Sequence, residues 1–133
     1  MNLTDILNKR YSTKAFSDKQ IDDQTWAHIE NALRLSASST NAQPWHFIVA
    51  DSDEGKQRLT KGTEKFPFNT DKILGSSHTV LFCAKTNIED DYLLHVLKKE
   101  EQDGRYAAEE FKEQMHQGRI FFVDIHRKEL HDI

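Results

Sequence analysis

The sequence has few of the residues that cross-link or loosen a chain. Cys83 is the one cysteine among 133 residues, which excludes an internal disulfide. A chain with so little cysteine is typical of a reducing compartment such as the cytoplasm. Its two prolines and five glycines form no linker segment, so we interpret residues 1–133 as part of one domain.

Signals for membranes and nucleic acids are also absent. No apolar run approaches the roughly 20 residues of a membrane-spanning helix, and Asp5 interrupts the N-terminal segment early, unlike in a secretory signal. The 18 basic and 22 acidic residues are well mixed, and the formal net charge is −4. A nucleic-acid site needs clustered Lys and Arg. The composition therefore predicts a soluble cytoplasmic protein that binds no nucleic acid.

The common catalytic and metal-binding motifs are missing. None of the seven histidines forms an i, i+4 pair, and a single Glu-x-x-His unit, Glu113 and His116, falls short of a di-metal site. The sequence has no Gly-x-Ser-x-Gly elbow and no glycine-rich phosphate loop. We therefore expect no metal ligand and no catalytic nucleophile or base, and we interpret Glu113 and His116 as residues on the surface of a helix.

Apolar spacing and capping signals predict an α+β chain. Helices are predicted from the N-terminus to about Arg10, from about Asp22 to the serine-rich segment, over 52–61, from Asn69 or Thr70 to Leu74, over 90–103, and from Ala107 onward. Asp22 is expected to be the N-cap of the second helix. The helix over 90–103 is expected to have an apolar face that consists of Tyr92, Leu93, Val96 and Leu97. Strands are predicted over 45–50 and 78–85. Both strands are almost purely apolar and are expected to be interior strands with neighbours on each side. The second strand is also expected to be buried on both faces. The chain is therefore expected to be the front part of a larger fold.

Arg10, Ser12 and Lys14 form the first candidate site, in the segment "RYSTKAF". In extended backbone this i, i+2, i+4 spacing places all three side chains on one side. A forked donor, a hydroxyl and a point charge together suit a phosphate or an anionic ring edge. On spacing alone, a solvated basic edge after a helix C-terminus, where Arg and Lys are favoured in any case, is the simpler explanation of the same residues.

Two aromatic groups raise similar questions. Asn69 and Lys72 follow Phe66 and Phe68, so the four could line a flat heterocycle, or they could be a loop at a helix start. In the last helix, one apolar stripe is predicted through Phe111 and Phe122. Phe121 points about 100° away from Phe122, and it needs a partner subunit, a substrate channel or the other side of the core.

The segment "SASSTNAQPWHFIVA" has more hydrogen-bonding groups than a helix-to-strand loop requires. Together with "RYSTKAF", "FPFNTDKIL", "SHTVLFCAK" and "GRIFFVDIHRKELHD" it resembles the FMN-dependent nitroreductase family, from end to end and in the same order. The likeness is strongest to oxygen-insensitive NAD(P)H nitroreductases and flavin reductases. It implies an α+β fold with a mixed sheet flanked by helices, in which two subunits intertwine as a homodimer. This chain would then be the N-terminal part of a single domain of that fold.

The resemblance also assigns roles to residues. Arg10 and Ser12 would hold the phosphate and ribityl end of FMN. Lys14 and Lys72 would lie near the N1/O2 edge of the flavin ring, and Asn69 would bind its pyrimidine side. The other subunit would contribute four further cofactor-binding residues: Ala37, Ser38, Ser39 and Asn41. The family often has proline at the position of Ala37. Four residues would border the substrate: Thr40, Phe68, Phe121 and Phe122.

The implied function is an oxidoreductase in which FMN carries the chemistry. Electrons would pass from NAD(P)H through the flavin to nitroaromatics, quinones or flavins in a ping-pong scheme, with no catalytic side chain. The family's further segments against the flavin are not in this sequence. Two alternatives therefore stay open: a truncated, non-catalytic remnant that dimerises without flavin, and a dihydropteridine or flavin reductase on the same fold.

Overall fold

The computed structural model describes residues 2–129, which form six α-helices and two β-strands. The elements in chain order are α1 (Leu3–Lys9), α2 (Asp23–Arg34), β1 (Trp45–Ala50), α3 (Asp53–Thr60), α4 (Thr70–Gly75), β2 (Thr79–Ala84), α5 (Asp90–Gln102) and α6 (Glu109–Glu129). The order and approximate bounds agree with those predicted from the sequence. The predicted end of the last helix beyond Glu129 lies outside the described residues.

Side-chain caps determine where several helices begin. Asn2 and Asp5 form a capping box at the start of α1. The Asp22 carboxylate accepts a hydrogen bond from the Thr25 backbone N–H at 2.8 Å, as the sequence predicted for the start of α2. That bond lowers the pKa of Asp22. Each cap satisfies a backbone donor that has no partner inside its own helix.

The described chain divides into two compact units. The first unit comprises the residues up to Ile29 together with Ile48–Leu81, and the second comprises Glu30–Phe47 together with the residues from Phe82 onward. In the first unit the buried Lys56 side chain donates from Nζ to the Ser76 carbonyl at 3.2 Å. In that unit the Trp26 ring also stacks on His78, with ring centroids 4.1 Å apart.

The second unit has its core between α5 and α6. Ile88, Leu93 and Val123 form a buried cluster, and Tyr92 and Ile120 pack against it. Leu93 is fully buried, and its position on the predicted apolar face of α5 is confirmed. These contacts fix the two helices against each other at the place where the candidate site of this unit lies.

The predicted apolar stripe of α6 is wrong. Phe111 and Phe122 are 47% and 53% exposed, whereas His116, Arg119 and Val123 are buried. The helix is therefore rotated relative to the prediction, and its buried side carries two polar residues. The interpretation of His116 as a surface residue is wrong for the same reason.

The two strands form one antiparallel pair. The Lys85 N–H donates to the Pro44 carbonyl at 2.8 Å, joining the start of β1 to the end of β2. Phe47 and Phe82 meet edge to face across the pair, at 5.1 Å between ring centroids. Burial on both faces of β2 was predicted, but Phe82 is 68% exposed. In the part of the chain that the structure describes, no further strand pairs with these two.

Within residues 2–129, no helix combines the length and the apolar character needed to cross a membrane.

Candidate functional site

The basic segment after α1 is extended and open to solvent. Arg10 ends α1 through its backbone N–H, which donates to the Ile6 carbonyl at 2.9 Å, and then leaves the helix with φ −68° and ψ 144°. Arg10, Ser12 and Lys14 are all exposed. Their side chains make no hydrogen bond or ion pair to any other residue in the range 2–129. The three groups therefore keep their full capacity to bind an anion.

A second cluster forms where a 3₁₀ turn leads into α4. Lys72 donates from Nζ to the Asn69 side-chain oxygen at 3.1 Å. The same ammonium group lies 5.1 Å from the centroid of the Phe68 ring, which is 66% exposed. Phe66 meets Phe68 nearly edge to face. The structure thus brings together the aromatic, amide and cationic groups that the sequence placed near one another, and it leaves an aromatic face open.

The third cluster is the serine loop, residues 38–43, which connects the end of α2 to β1. Three of its residues have backbone in the left-handed region: Thr40 at φ 50°, Asn41 at φ 54° and Gln43 at φ 49°. None of them is glycine, and Thr40 is β-branched, so this conformation is strained. Strain of this kind persists where surrounding contacts fix the backbone, and it often marks a functional site.

A buried ion pair holds the first half of the serine loop. The Arg119 side chain is fully buried and donates from Nη2 to a Glu100 carboxylate oxygen at 2.6 Å. From Nε, Arg119 also donates to the Thr40 carbonyl at 3.0 Å. The other Glu100 oxygen accepts from the Asn41 side-chain amide at 2.6 Å. The ion pair thus binds both the backbone and a side chain of the loop.

A tyrosine holds the second half of the loop. The Tyr92 hydroxyl lies 3.0 Å from the Ala42 carbonyl and 2.7 Å from the Gln43 carbonyl, and donates to them. The Gln43 N–H in turn donates to Ser38 Oγ at 2.9 Å, which closes the loop on itself. Burial raises the pKa of Tyr92, so this hydroxyl keeps its proton and remains a donor.

The pKa of Glu100 is determined by its hydrogen bonds as well as by its burial. Burial alone raises the pKa of a carboxyl group, but hydrogen bonds from Tyr106, Asn41 and Arg119 outweigh burial and lower the pKa of Glu100. The side chain is therefore a carboxylate at neutral pH. In residues 2–129, Nη1 of Arg119 is buried without a hydrogen-bond partner.

The structure places the remaining predicted residues of the second unit as follows. Ala37 and Ser39 are exposed. The Asn41 amide is already engaged, since it donates to Glu100 and its oxygen accepts from Gln43 at 2.8 Å. On α6, Phe121 and Phe122 are 61% and 53% exposed and meet each other edge to face, with centroids 5.5 Å apart.

Sequence reasoning missed Glu100, Arg119 and Tyr92 as residues that shape the site. Glu100 continues the apolar spacing of Leu93 and Val96–Leu97 on α5, so a carboxylate falls where an apolar residue is expected. A carboxylate at an apolar position was the signal in the sequence that could have indicated a buried ion pair. A charged residue at a core position is rarely fully buried without a partner.

The comparisons with known proteins decide the family. The profile of the family described as "Nitroreductase family" matches residues 7–123. The chain belongs to the nitroreductase family. This nitroreductase-family chain is 45% identical to the oxygen-insensitive NAD(P)H nitroreductase of Enterobacter cloacae, over 99% of the chain and 62% of that protein. The protein of the same name from Salmonella typhimurium gives the same identity and coverage.

Two further likenesses extend the comparison. The major NAD(P)H-flavin oxidoreductase of Aliivibrio fischeri is 40% identical over 78% of this chain and 49% of that protein. Among solved structures, a nitroreductase-family protein from Exiguobacterium sibiricum in complex with FMN superposes with a TM-score of 0.71, at 24% identity, over 92% of this chain and 57% of that one. This likeness confirms the predicted α+β nitroreductase-like fold. The chain spans about three fifths of the length of the first two relatives.

Proposed function

We propose that this chain forms part of an FMN-dependent oxidoreductase that passes electrons from NAD(P)H through the flavin to nitroaromatics, quinones or flavins. The observation that carries the proposal is the 45% identity, over 99% of the chain, to proteins named oxygen-insensitive NAD(P)H nitroreductases. When bound, FMN supplies hydride acceptance and electron release. The chain's own residues then have to bind, orient and shield that group.

The donor set of the basic segment fits the phosphate end of FMN. Arg10 offers a planar fork of N–H donors, Ser12 a hydroxyl and Lys14 an ammonium group, and all three side chains are exposed. Arg10 and Ser12 would hold the phosphate and ribityl end, and Lys14 would lie near the N1/O2 edge of the ring. Cations near that edge stabilise the negative charge of the reduced cofactor.

The cluster before α4 fits the ring. Lys72 is held by Asn69 and lies over Phe68, so its ammonium group is already positioned by two neighbours. The Asn69 oxygen is engaged by Lys72, and its NH₂ group stays available for a ring carbonyl. Phe68 would border the substrate side. This donor set has the chemistry that the pyrimidine edge of a flavin requires.

Residues of the second unit would complete the site in a homodimer, coming from the other subunit. Four of them would contact the cofactor: Ala37, Ser38, Ser39 and Asn41. Thr40, Phe121 and Phe122 would border the substrate, and the two exposed rings offer an apolar surface to a flat aromatic acceptor. One site would then serve NAD(P)H and the acceptor in turn, which is a ping-pong scheme. The cytoplasmic location stays a prediction.

A flavin reductase is the second candidate function. It is favoured by the 40% identity to an NAD(P)H-flavin oxidoreductase. The same cofactor residues would serve both activities, and the acceptor alone would differ. Turnover with free riboflavin, a nitrofuran, a quinone and a pterin, compared at equal enzyme and NADH concentrations, ranks the acceptors.

The cofactor is tested in the protein expressed from its complete coding sequence. The protein is mixed with FMN, freed of excess, and its visible spectrum recorded before and after anaerobic addition of NADH. We expect a retained flavin band that NADH bleaches. Lys14→Met should weaken FMN retention, whereas Lys9→Met, an exposed lysine in the last turn of α1, should not. A colourless wild-type protein favours a non-catalytic remnant and refutes the proposal.

A further inference from the structure

The buried charged side chains of the second unit bind the serine loop. Arg119 is fully buried and Glu100 is 6% exposed, at an interface where apolar residues would pack with less desolvation. Beyond their mutual bond at 2.6 Å, Arg119 reaches the Thr40 carbonyl and Glu100 binds the Asn41 amide. Leucine and methionine side chains could fill the same space but could make neither contact.

The serine loop needs such contacts because its backbone is strained. Thr40 and Asn41 are consecutive residues in the left-handed region, and Gln43 follows in the same region. Arg119 and Glu100 hold the first two, while the Tyr92 hydroxyl binds the carbonyl of Gln43. The loop is therefore fixed at two places, by the ion pair between α6 and α5 and by the tyrosine hydroxyl of α5.

We propose that Arg119 and Glu100, with the Tyr92 hydroxyl, are positioning residues that hold the serine loop in the conformation that binds FMN. The proposal rests on the proposed function, because it deepens the role of the same loop. None of the three needs to touch the cofactor. They act by pre-ordering residues 38–43, so that binding does not have to order the loop.

The test compares two anchor variants with one matched control. Glu100→Gln keeps the shape of the side chain and removes its charge, and Tyr92→Phe removes one hydroxyl. Glu101→Gln is the control. Glu101 forms an ion pair with Lys112 that also joins α5 to α6, but neither residue binds the loop. Amide hydrogen exchange of the peptide covering 38–43 reports on the loop without FMN. The quenching of flavin fluorescence on binding gives the Kd for FMN.

We expect both anchor variants to speed exchange in the loop and to raise the Kd for FMN by about tenfold, as the loss of a pre-ordered loop predicts, with the control unchanged within about twofold. Tyr92→Phe keeps the test decisive if Glu100→Gln does not fold. Unchanged exchange overturns the proposal. Faster exchange with an unchanged Kd also overturns it, because the anchors would then be structural only. A wild-type protein that binds no FMN refutes the proposed function itself, and this proposal with it.

Discussion

Replacing Arg119 by methionine tests the buried ion pair directly. The substitution keeps much of the side-chain volume but removes both hydrogen bonds of a fully buried guanidinium group, the 2.6 Å bond to Glu100 and the 3.0 Å bond to the Thr40 carbonyl. It leaves the Glu100 carboxylate with hydrogen bonds from Asn41 and Tyr106 and with the half-exposed Arg105 guanidinium at 3.6 Å, and it removes the one buried cation beside it among the described residues. Breaking a buried pair by removing one partner costs about 3–5 kcal/mol.

A loss of that size is a large fraction of the 5–15 kcal/mol that stabilises a typical domain. The assay is urea unfolding of the complete protein, without FMN and at one protein concentration, for wild type, Arg119→Met and Glu100→Met/Arg119→Met. We expect the double variant to recover part of the loss, because it buries no uncompensated charge. A single-variant loss below about 1 kcal/mol would refute the reasoning, since a buried pair of this geometry should exceed a surface one.

Three further predictions follow from single residues. The pKa of Glu100 is lowered from its usual value of 4.5, so the ionised carboxylate stabilises the fold above that pH, and this stabilisation is lost as pH falls through the lowered pKa. Urea midpoints measured from pH 7 to below 4 should therefore fall more steeply for wild type than for Glu100→Gln. Parallel curves for the two proteins would contradict this prediction. Lys14→Met should raise the FMN Kd or lower the flavin midpoint potential, measured by fluorescence and by dye-coupled reduction; if neither changes, the role of Lys14 is wrong. The Ser52 hydroxyl caps α3 by accepting a hydrogen bond from the Gly55 N–H at 3.2 Å. Ser52→Ala removes this cap and should lower the free energy of unfolding, measured in urea, by about 1 kcal/mol. Ser52→Thr can still cap the helix and should retain most of that free energy.

Local signals in the sequence were sufficient for the helices. Asp22 was recognised as a cap because its short side chain can accept from a backbone N–H three residues on, and the structure shows that bond. The apolar face of α5 was found because Leu93 and Val96 recur at helical spacing. The cluster of Asn69 and Lys72 was noticed because both residues closely follow a pair of phenylalanines in the chain, and the structure shows the two side chains in contact.

The predictions that were wrong concern features that depend on tertiary packing. Phe122 was predicted to lie in the core because it falls on one apolar stripe with Phe111, but helix α6 turns Arg119 and Val123 inward instead. That rotation is decided by the buried partner Glu100, 19 residues away in the chain, which helical periodicity cannot reveal. Likewise, an apolar strand is buried on a face only where another layer packs over that face, and within the described residues Phe82 is 68% exposed.

The visible spectrum of the complete protein tests the central claim most directly. The protein is purified with added FMN, stripped of unbound flavin, and titrated anaerobically with NADH and then with a nitrofuran. The account predicts a bound flavin band that NADH bleaches and the nitrofuran restores. A protein that keeps no flavin, or keeps a flavin that NADH does not bleach, would contradict it.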